Sequence, residues 1–171
     1  GIARTFQINQ LFRGLTVLEN VVLAIAERQG IASSMFRPLS SYSEVTDEAM
    51  ELLSNFDLNE DALRRIDELP YGRQRLVEIV IALGQRPSVL LLDEPAAGIP
   101  SSESQHILDA ASALSSDITV LIIEHDMEIV FSVADYITVL VSGAVLTEGE
   151  PEVIAADERV RAVYLGEADR G

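Results

Sequence analysis

VLLLDEPAAG, residues 89–98, is the stretch that decides the fold. Four consecutive aliphatic residues end abruptly in two carboxylates, Asp93 and Glu94, which a proline follows. An apolar run this short is typical of a strand that is buried on both faces of a parallel sheet. Ligands of open α/β sheets bind outside the carboxyl ends of the strands, where these two acids fall. The stretch predicts a buried strand with a candidate polar site; the alternative is a strand that runs into an acidic surface loop.

A second apolar run, ITVLII at residues 118–123, also ends in polar residues, Glu124, His125 and Asp126. Residues 101–114, between the two runs, have the pattern of a helix with one polar face. A strand–helix–strand crossover makes the two strands parallel, so we expect both polar ends at the same edge of the sheet. A lone histidine is more often a structural or surface residue, but this placement makes His125 a candidate site residue.

The chain ahead of the organising strand is predicted to be mostly helical. Residues 1–6 suit the end of a strand, and Thr16-Val-Leu-Glu19 is a capping box that opens a helix over about 17–29. A second amphipathic helix is predicted over 43–55, after a Ser-rich surface loop at 31–42.

The segment just before the organising strand combines a loop with a buried helix. Leu69-Pro-Tyr-Gly72 is loop chemistry, and residues 73–83 are apolar nearly all round after the first turn, which predicts a buried helix. The amino end of this helix carries glycine, two arginines and unpaired backbone N–H groups, the composition of an anion site. The alternative is an ordinary helix start with solvated arginines.

The end of the chain is predicted to contain a hairpin between helices. Ser142-Gly143 is a two-residue hairpin signal, and Pro151 favours a helix start. The predicted elements are a helix over 127–134, strands over 136–141 and 144–147, a helix from Pro151 and a closing helix over 157–165.

Composition narrows the class of protein. The 171 residues carry a formal net charge of −16, with 28 acidic and 12 basic residues, which argues against a nucleic-acid groove. There is no cysteine for a disulfide scaffold, and no apolar run approaches the roughly 20 residues that span a bilayer. Because the chain opens with Gly1 rather than Met and goes almost straight into an apolar segment, we expect it to be part of a longer protein.

The order of these motifs resembles the nucleotide-binding subunit of ABC transporters, above all the importers of branched-chain amino acids. The resemblance rests on GIARTFQ, LTVLENV, LPYGRQR, VLLLDEP with its EPAAG turn, EHDMEIV and VYLGE, which cover nearly the whole chain in the family's order. Urea importers and the ATPase of lipopolysaccharide export look similar. Readings of another class are an ABC-type ATPase of DNA repair or translation and a truncated chain that only docks on partners.

The resemblance implies an α/β fold, the C-terminal part of a P-loop (RecA-like) ABC ATPase domain. Such a domain has a parallel sheet with flanking helices and an inserted α-helical subdomain. Residues 1–17 would be the end of a core strand and the Q-loop, and residues 18–68 the helical subdomain. Residues 69–171 would hold the signature loop, the Walker B strand, the D-loop, the H-loop and the rest of the core.

The resemblance also implies the site. Asp93 and Gln7 would hold Mg²⁺, Glu94 would act as general base on the attacking water, and His125 would contact the γ-phosphate of ATP. ATP held by a second subunit would meet the signature loop, Pro70, Tyr71, Gly72, Arg73 and Gln74. The usual signature places Ser where this chain has Pro70, which offers no hydroxyl, so backbone N–H groups and Arg73 would have to do more. In the D-loop turn, Pro100 replaces the usual Asp.

The implied partners are transmembrane permease subunits, contacted through the Gln7 loop and the helical subdomain, and a second ATPase subunit in a head-to-tail dimer. The implied location is cytoplasmic, on the cytoplasmic face of the inner (plasma) membrane, with no nucleic acid bound. No G-x-x-x-x-G-K-[ST] occurs in the 171 residues, so we expect the phosphate-binding loop ahead of Gly1. We expect these residues alone to be marginally stable and neither to bind ATP tightly nor to hydrolyse it.

Overall fold

The computed structural model describes residues 1–5, 11–31, 43–99, 107, 108, 111, 114 and 117–168. The chain divides into two compact units, Gly1–Glu124 and His125–Gly171. The predicted loop at 31–42 and the predicted helix at 101–114 fall largely outside the described residues.

The first unit contains a sheet of three parallel strands, in the order β1 (Ile2–Arg4), β2 (Val89–Asp93) and β3 (Thr119–Ile123). The organising strand β2 lies between the other two and is aligned with β3 from its first residue to its last. Parallel pairing brings the carboxyl ends of β2 and β3 to the same edge of the sheet. The predicted α/β architecture with a parallel sheet is confirmed.

The two faces of the sheet differ in burial. On β2, Leu90 and Leu92 are 0% and 1% exposed, whereas Leu91 is half-buried. On β3, Leu121 and Ile123 are 55% and 58% exposed. The expectation that β2 is buried on both faces is therefore only partly met, because the described part of the chain covers one face of this sheet much better than the other.

Among the described residues of the first unit, the helices with full bounds are α1 (Val17–Arg28), α2 (Ser43–Asn55) and α3 (Tyr71–Gly84). They share one hydrophobic cluster with the sheet, and short 3₁₀ turns lie at Asn59–Asp61 and Ile66–Glu68. The capping box at the start of α1 is formed as predicted. Thr16 Oγ1 accepts from the Glu19 amide at 3.2 Å, and Glu19 Oε2 accepts from the Thr16 amide at 2.7 Å.

An ion-pair cluster ties these helices together. Glu48 of α2 accepts from Arg28 of α1 at 2.7 and 2.8 Å, and Arg86, beyond α3, lies 3.0 Å away. Arg28 Nη1 also donates to the Gly84 carbonyl at 2.9 Å. Only 18% of the Arg28 and Glu48 side chains is exposed. The hydrogen bonds from Arg28 lower the pKa of Glu48 against the opposing effect of burial, and Arg86 lowers it further.

This lowered pKa predicts a pH dependence of stability. The ionised Glu48 stabilises the fold fully above its ordinary pKa of 4.5, and that stabilisation is lost as the pH falls through the lowered folded value. The thermal unfolding midpoint of Glu48→Gln should therefore fall less than that of wild type between about pH 7 and about pH 3. Glu51→Gln, which changes an exposed glutamate of the same helix, should behave like wild type. Equal pH dependence in Glu48→Gln and wild type would contradict the assignment.

The second unit is built on an antiparallel hairpin of β4 (Ile137–Val141) and β5 (Ala144–Gly149). Ser142 and Gly143 join the strands with φ of 52° and 80°, the left-handed conformations that a tight hairpin turn requires. The predicted hairpin is thus confirmed. The helices described in this unit are α4 (Met127–Val133), α5 (Pro151–Ala156) and α6 (Glu158–Ala168). Their small core contains Ile137, Val139, Ile154 and Val160.

Across both units, no helix within the described ranges is long and apolar enough to cross a membrane.

Candidate active site

The organising strand ends at an edge that presents two carboxylates. Asp93 is the last residue of β2, and its Oδ2 accepts from Arg4 Nη2 of the neighbouring β1 at 3.1 Å. Side-chain exposures of 28% for Asp93 and 51% for Arg4 make this a solvent-accessible pair. Glu94 follows, and its amide donates to the Ile123 carbonyl of β3 at 2.9 Å, so strand-to-strand bonding extends one residue beyond the strand.

Glu94 begins a tight turn in an unusual backbone conformation. Its φ is +44°, in the left-handed region that a non-glycine residue rarely adopts, and its carbonyl accepts from the Ala97 amide at 3.1 Å. The Ala96 amide donates to Glu124 Oε1 at 3.3 Å, which ties the turn to the end of β3. Gly98 supplies a second positive φ, of 74°. The turn thus leaves β2 sharply and exposes the Glu94 side chain partly to solvent.

A buried arginine of α3 contacts this turn from within the protein. Arg75 is 2% exposed, and its guanidinium lies near three consecutive backbone carbonyls. Its Nη2 donates to Asp93 O at 2.7 Å and to Glu94 O at 3.4 Å, and its Nε donates to Pro95 O at 3.4 Å. The charge is balanced by Glu78, whose Oε2 accepts from Arg75 Nη1 at 2.7 Å. The alternative of solvated arginines at this helix start is therefore wrong for Arg75.

The amino end of α3 carries the predicted signature loop. Pro70 occupies the N-cap position without a side-chain cap, and the first intrahelical bond runs from the Gln74 amide to the Pro70 carbonyl at 3.1 Å. The amides of Tyr71, Gly72 and Arg73 precede that bond, as an anion site requires. The Gln74 side chain donates to the Leu69 carbonyl at 2.9 Å. The ring of Tyr71 is 43% exposed.

The Arg73 side chain is engaged inside the helical block. Its Nε donates to Asp61 Oδ2 at 2.8 Å, and its Nη2 donates to the Asp57 carbonyl at 3.0 Å. Asp61, whose side chain is 7% exposed, also pairs with Arg64 at 2.8 Å. Both arginines of the predicted anion site are therefore paired with carboxylates of the protein, which leaves the backbone amides as the donors of that loop.

The structure brings some of the predicted site residues together and leaves others undescribed. Asp93, Glu94 and the amino end of α3, where the signature loop is predicted, meet through Arg75 in the first unit. Gln7 and Pro100 lie outside the described residues. His125 is the first residue of the second unit, and its side chain is exposed. Within the ranges described, no group of three or more His, Cys, Asp or Glu side chains could hold a metal ion.

Sequence reasoning missed the role of Arg75 and its partner Glu78. Their spacing, an arginine and a glutamate three residues apart in an otherwise apolar helix, is the signal that could have found them, because charges on a buried helix must be paired. The contact between Arg4 and Asp93 was also missed, because the pairing of β1 beside β2 depends on tertiary structure.

Comparison with known proteins identifies the family. The family model described as "ABC transporter" matches residues 1–97, more than half of the chain. The chain belongs to the ABC transporter ATP-binding proteins. A second family model, described as "Branched-chain amino acid ATP-binding cassette transporter", matches residues 144–170. The family's activity is ATP hydrolysis, and its ATP-binding subunits work with membrane permease subunits, so this ABC protein is part of a transporter ATPase.

Curated relatives of this ABC protein agree with both models. LivG of Escherichia coli (strain K12), a high-affinity branched-chain amino acid transport ATP-binding protein, is 38% identical over 98% of this chain and 69% of its own length. BraF of Pseudomonas aeruginosa, described in the same terms, has the same identity and coverage. A probable LivG of Methanocaldococcus jannaschii is 33% identical over 98% of this chain and 68% of its own length.

Solved structures confirm the fold. An ATP-binding cassette of an ABC transporter in its ADP conformation superimposes with a TM-score of 0.77 at 32% identity, covering 97% of this chain and 68% of that one. A nucleotide-free cassette from an ABC transporter gives a TM-score of 0.77 at 30% identity, with 96% and 68% covered. The resemblance stated from the sequence motifs is confirmed at the level of family and fold.

Proposed function

We propose that this protein is the ATPase of an importer of branched-chain amino acids and that its catalytic carboxylate is Glu94. The observation that carries the activity is the pair of acids at the carboxyl end of a parallel strand, with the backbone of Glu94 held by the buried Arg75. The solute class is supported by the 38% identity to LivG and BraF over 98% of the chain and by the branched-chain match at residues 144–170.

In this proposal, Glu94 takes a proton from the water that attacks the γ-phosphate of ATP. A carboxylate at a strand end, partly exposed and fixed by its own backbone, is placed for such proton transfer. His125 contacts the γ-phosphate, and Gln7 contributes to the site that positions the water. The activation barrier is lowered by orientation and electrostatics, because phosphoryl transfer needs little covalent chemistry from the protein.

The proposed Mg²⁺ ligand of this chain is Asp93. Mg²⁺ is usually held by one or two carboxylates together with water and substrate phosphates, so a single accessible carboxylate fits the need. Asp93 meets that description, since it is 28% exposed at the strand end. Bound Mg²⁺ would neutralise charge on the phosphates. Arg4 donates to Oδ2 of Asp93 at 3.1 Å, so the ion would share this carboxylate with Arg4.

The signature loop of one chain is proposed to act on the ATP held by a second chain in a head-to-tail dimer. Because Pro70 has no hydroxyl and Arg73 is paired with Asp61, the amides of Tyr71 and Gly72 and the Arg73 amide would donate to the phosphates. The permease subunits are proposed to contact the Gln7 loop and the helical block of residues 18–68. With these permease contacts, the protein would lie at the cytoplasmic face of the inner membrane.

Transport ATPase activity provides the test of the solute class. The protein expressed from its complete coding sequence, assembled with its permease subunits in vesicles, should hydrolyse ATP about tenfold faster when a binding protein loaded with leucine is added, because the loaded partner selects the closed dimer. Phosphate release is the measurement, and the empty binding protein is the control. Stimulation by a urea-loaded binding protein instead, or by neither, would contradict the proposal and favour another ABC system.

A further inference from the structure

Arg75 carries a full positive charge that has no role in the proposed hydrolysis of ATP. Side chains elsewhere on α3 after its first turn are mainly apolar and buried, yet Arg75 is 2% exposed and Glu78 is 8% exposed. Replacing a buried ion pair with apolar residues of similar volume is often neutral or stabilising. The pair therefore calls for a role other than holding α3 in the core, and the contacts of the guanidinium indicate which.

The two peptide planes that flank Glu94 are both held. The plane between Asp93 and Glu94 is held on its carbonyl by Arg75 Nη2 at 2.7 Å and on its N–H by the Ile123 carbonyl at 2.9 Å. The plane after Glu94 is held on its carbonyl by the Ala97 amide at 3.1 Å, with Arg75 Nη2 at 3.4 Å. Because the orientations of these two planes determine φ and ψ of Glu94, the contacts fix the direction in which its Cα–Cβ bond points.

Glu94 needs this restraint because of its conformation. A φ of +44° in a residue with a Cβ costs about 1 kcal/mol or more and persists only where neighbouring groups enforce it. The planar fork of an arginine can bridge several carbonyls at once, whereas the compact ammonium of a lysine cannot. Glu78 lies three residues along the same helix and orients the fork at 2.7 Å, so the direction of the guanidinium is set by α3 itself.

We propose that Arg75 is a positioning residue for catalysis: its guanidinium, oriented by Glu78, holds the backbone of Glu94 in the left-handed conformation that aims the carboxylate at the attacking water. The proposal rests on the proposed role of Glu94 as general base. It assigns Arg75 an action through the Glu94 backbone rather than through any contact with ATP.

The test is Arg75→Lys in the protein expressed from its complete coding sequence. The lysine keeps the positive charge beside Glu78 but loses the fork, so kcat should fall about 100-fold, as expected for a displaced catalytic group. KM for ATP and ATP-dependent dimerisation should stay as in wild type, because ATP binding does not use Arg75. Hydrogen exchange at the Ala97 amide should quicken, since its bond to the Glu94 carbonyl loses support.

Arg28→Lys is the matched control. Arg28 also donates to one glutamate, Glu48, and to one backbone carbonyl, that of Gly84. This pair is partly buried and does not involve Asp93 or Glu94. In assays without permease subunits, the substitution of Arg28 should lower the unfolding midpoint and leave kcat and hydrogen exchange at the Ala97 amide unchanged. An equal loss of kcat in Arg28→Lys and Arg75→Lys would overturn the positioning role, because both effects would then be structural.

Glu94→Gln and the double variant Arg75→Lys/Glu94→Gln separate this proposal from the proposed function. If Arg75 acts through Glu94, the double variant should be no slower than Glu94→Gln alone. Normal turnover in Glu94→Gln would remove the base assignment itself, whereas an inactive Glu94→Gln beside a fully active Arg75→Lys would overturn the positioning proposal alone.

Should Arg75→Lys not fold, Glu78→Gln should lower kcat about fivefold at unchanged KM, since the fork is less firmly oriented. Wild-type kcat and exchange in Glu78→Gln would then overturn the proposal.

Discussion

Replacing Glu94 with glutamine should lower ATP turnover by about 1000-fold while ATP-dependent dimerisation is retained. Glutamine has nearly the size and shape of glutamate, and the backbone contacts of residue 94 to Arg75, Ile123 and Ala97 do not involve the side chain. What is lost is the ability to accept a proton from the attacking water. Binding of ATP, which depends on the phosphate contacts, is left intact, so the variant should accumulate as the ATP-bound dimer.

The measurement combines phosphate release with size-exclusion chromatography in the presence of ATP and Mg²⁺. Glu152→Gln is the control, because it removes one negative charge from an exposed position at the start of α5, in the second unit. It should show wild-type turnover and wild-type dimerisation. Unchanged turnover in Glu94→Gln would refute the base assignment, and loss of dimerisation would show that Glu94 contributes to binding rather than to chemistry.

Replacing Arg75 with methionine should lower the free energy of unfolding by about 3–5 kcal/mol. Methionine fills much of the same volume, so the main loss is that of the electrostatic interactions of the guanidinium. The Glu78 carboxylate, 8% exposed, loses its guanidinium partner at 2.7 Å, and the carbonyls of residues 93–95 lose their shared donor. A buried charge that loses a hydrogen-bonded guanidinium costs far more than the ion pair as a whole contributes.

The double variant Arg75→Met/Glu78→Met distinguishes the two contributions in urea unfolding of the full-length protein. With the carboxylate also removed, about half of the lost stability should return, because only the loss of the Arg75 contacts to the carbonyls then remains. A double variant no more stable than Arg75→Met would indicate that the carbonyl contacts dominate. A loss below about 1 kcal/mol in Arg75→Met would contradict the buried pair itself.

Much of the fold could be predicted from local pattern. The bounds of α2 follow from its apolar periodicity. The capping box of α1 follows from Thr16 and Glu19, whose spacing brings each side chain to the other's backbone amide. Ser142-Gly143 specified the hairpin because its left-handed backbone suits few other residues. The strand character of β2 followed from four aliphatic residues that stop at a polar pair.

The parts that could not be predicted depend on partners distant in the sequence. Arg75 was expected with Arg73 at the polar start of a helix, because the carbonyls that bury it belong to the turn after β2, about twenty residues further along the chain. Likewise, Arg73 was expected at an anion site, and nothing near it in the sequence identifies Asp61 as its partner. The exposure of Leu121 and Ile123 is equally a property of what packs on β3 rather than of its apolar sequence.

The candidate site shows the same division. Asp93 and Glu94 could be found because acids at the end of an apolar strand are conspicuous, and the structure adds the left-handed backbone of Glu94 and the arginine behind it. The roles of Gln7, His125 and the signature residues came from the resemblance to a family. They stay predictions, which turnover and binding measurements on substituted proteins can test.

The position of β1 in the sheet has a consequence for the order of events during synthesis. Ile2 pairs with Val89, so β1 cannot pair with β2 until the whole helical block between them has been synthesised. At ribosomal rates that interval is on the order of ten seconds, far longer than helices need to form. The nascent chain can therefore assemble α1 and α2 before the pairing of β1 with β2 is possible, and chaperones can protect its apolar segments during that interval.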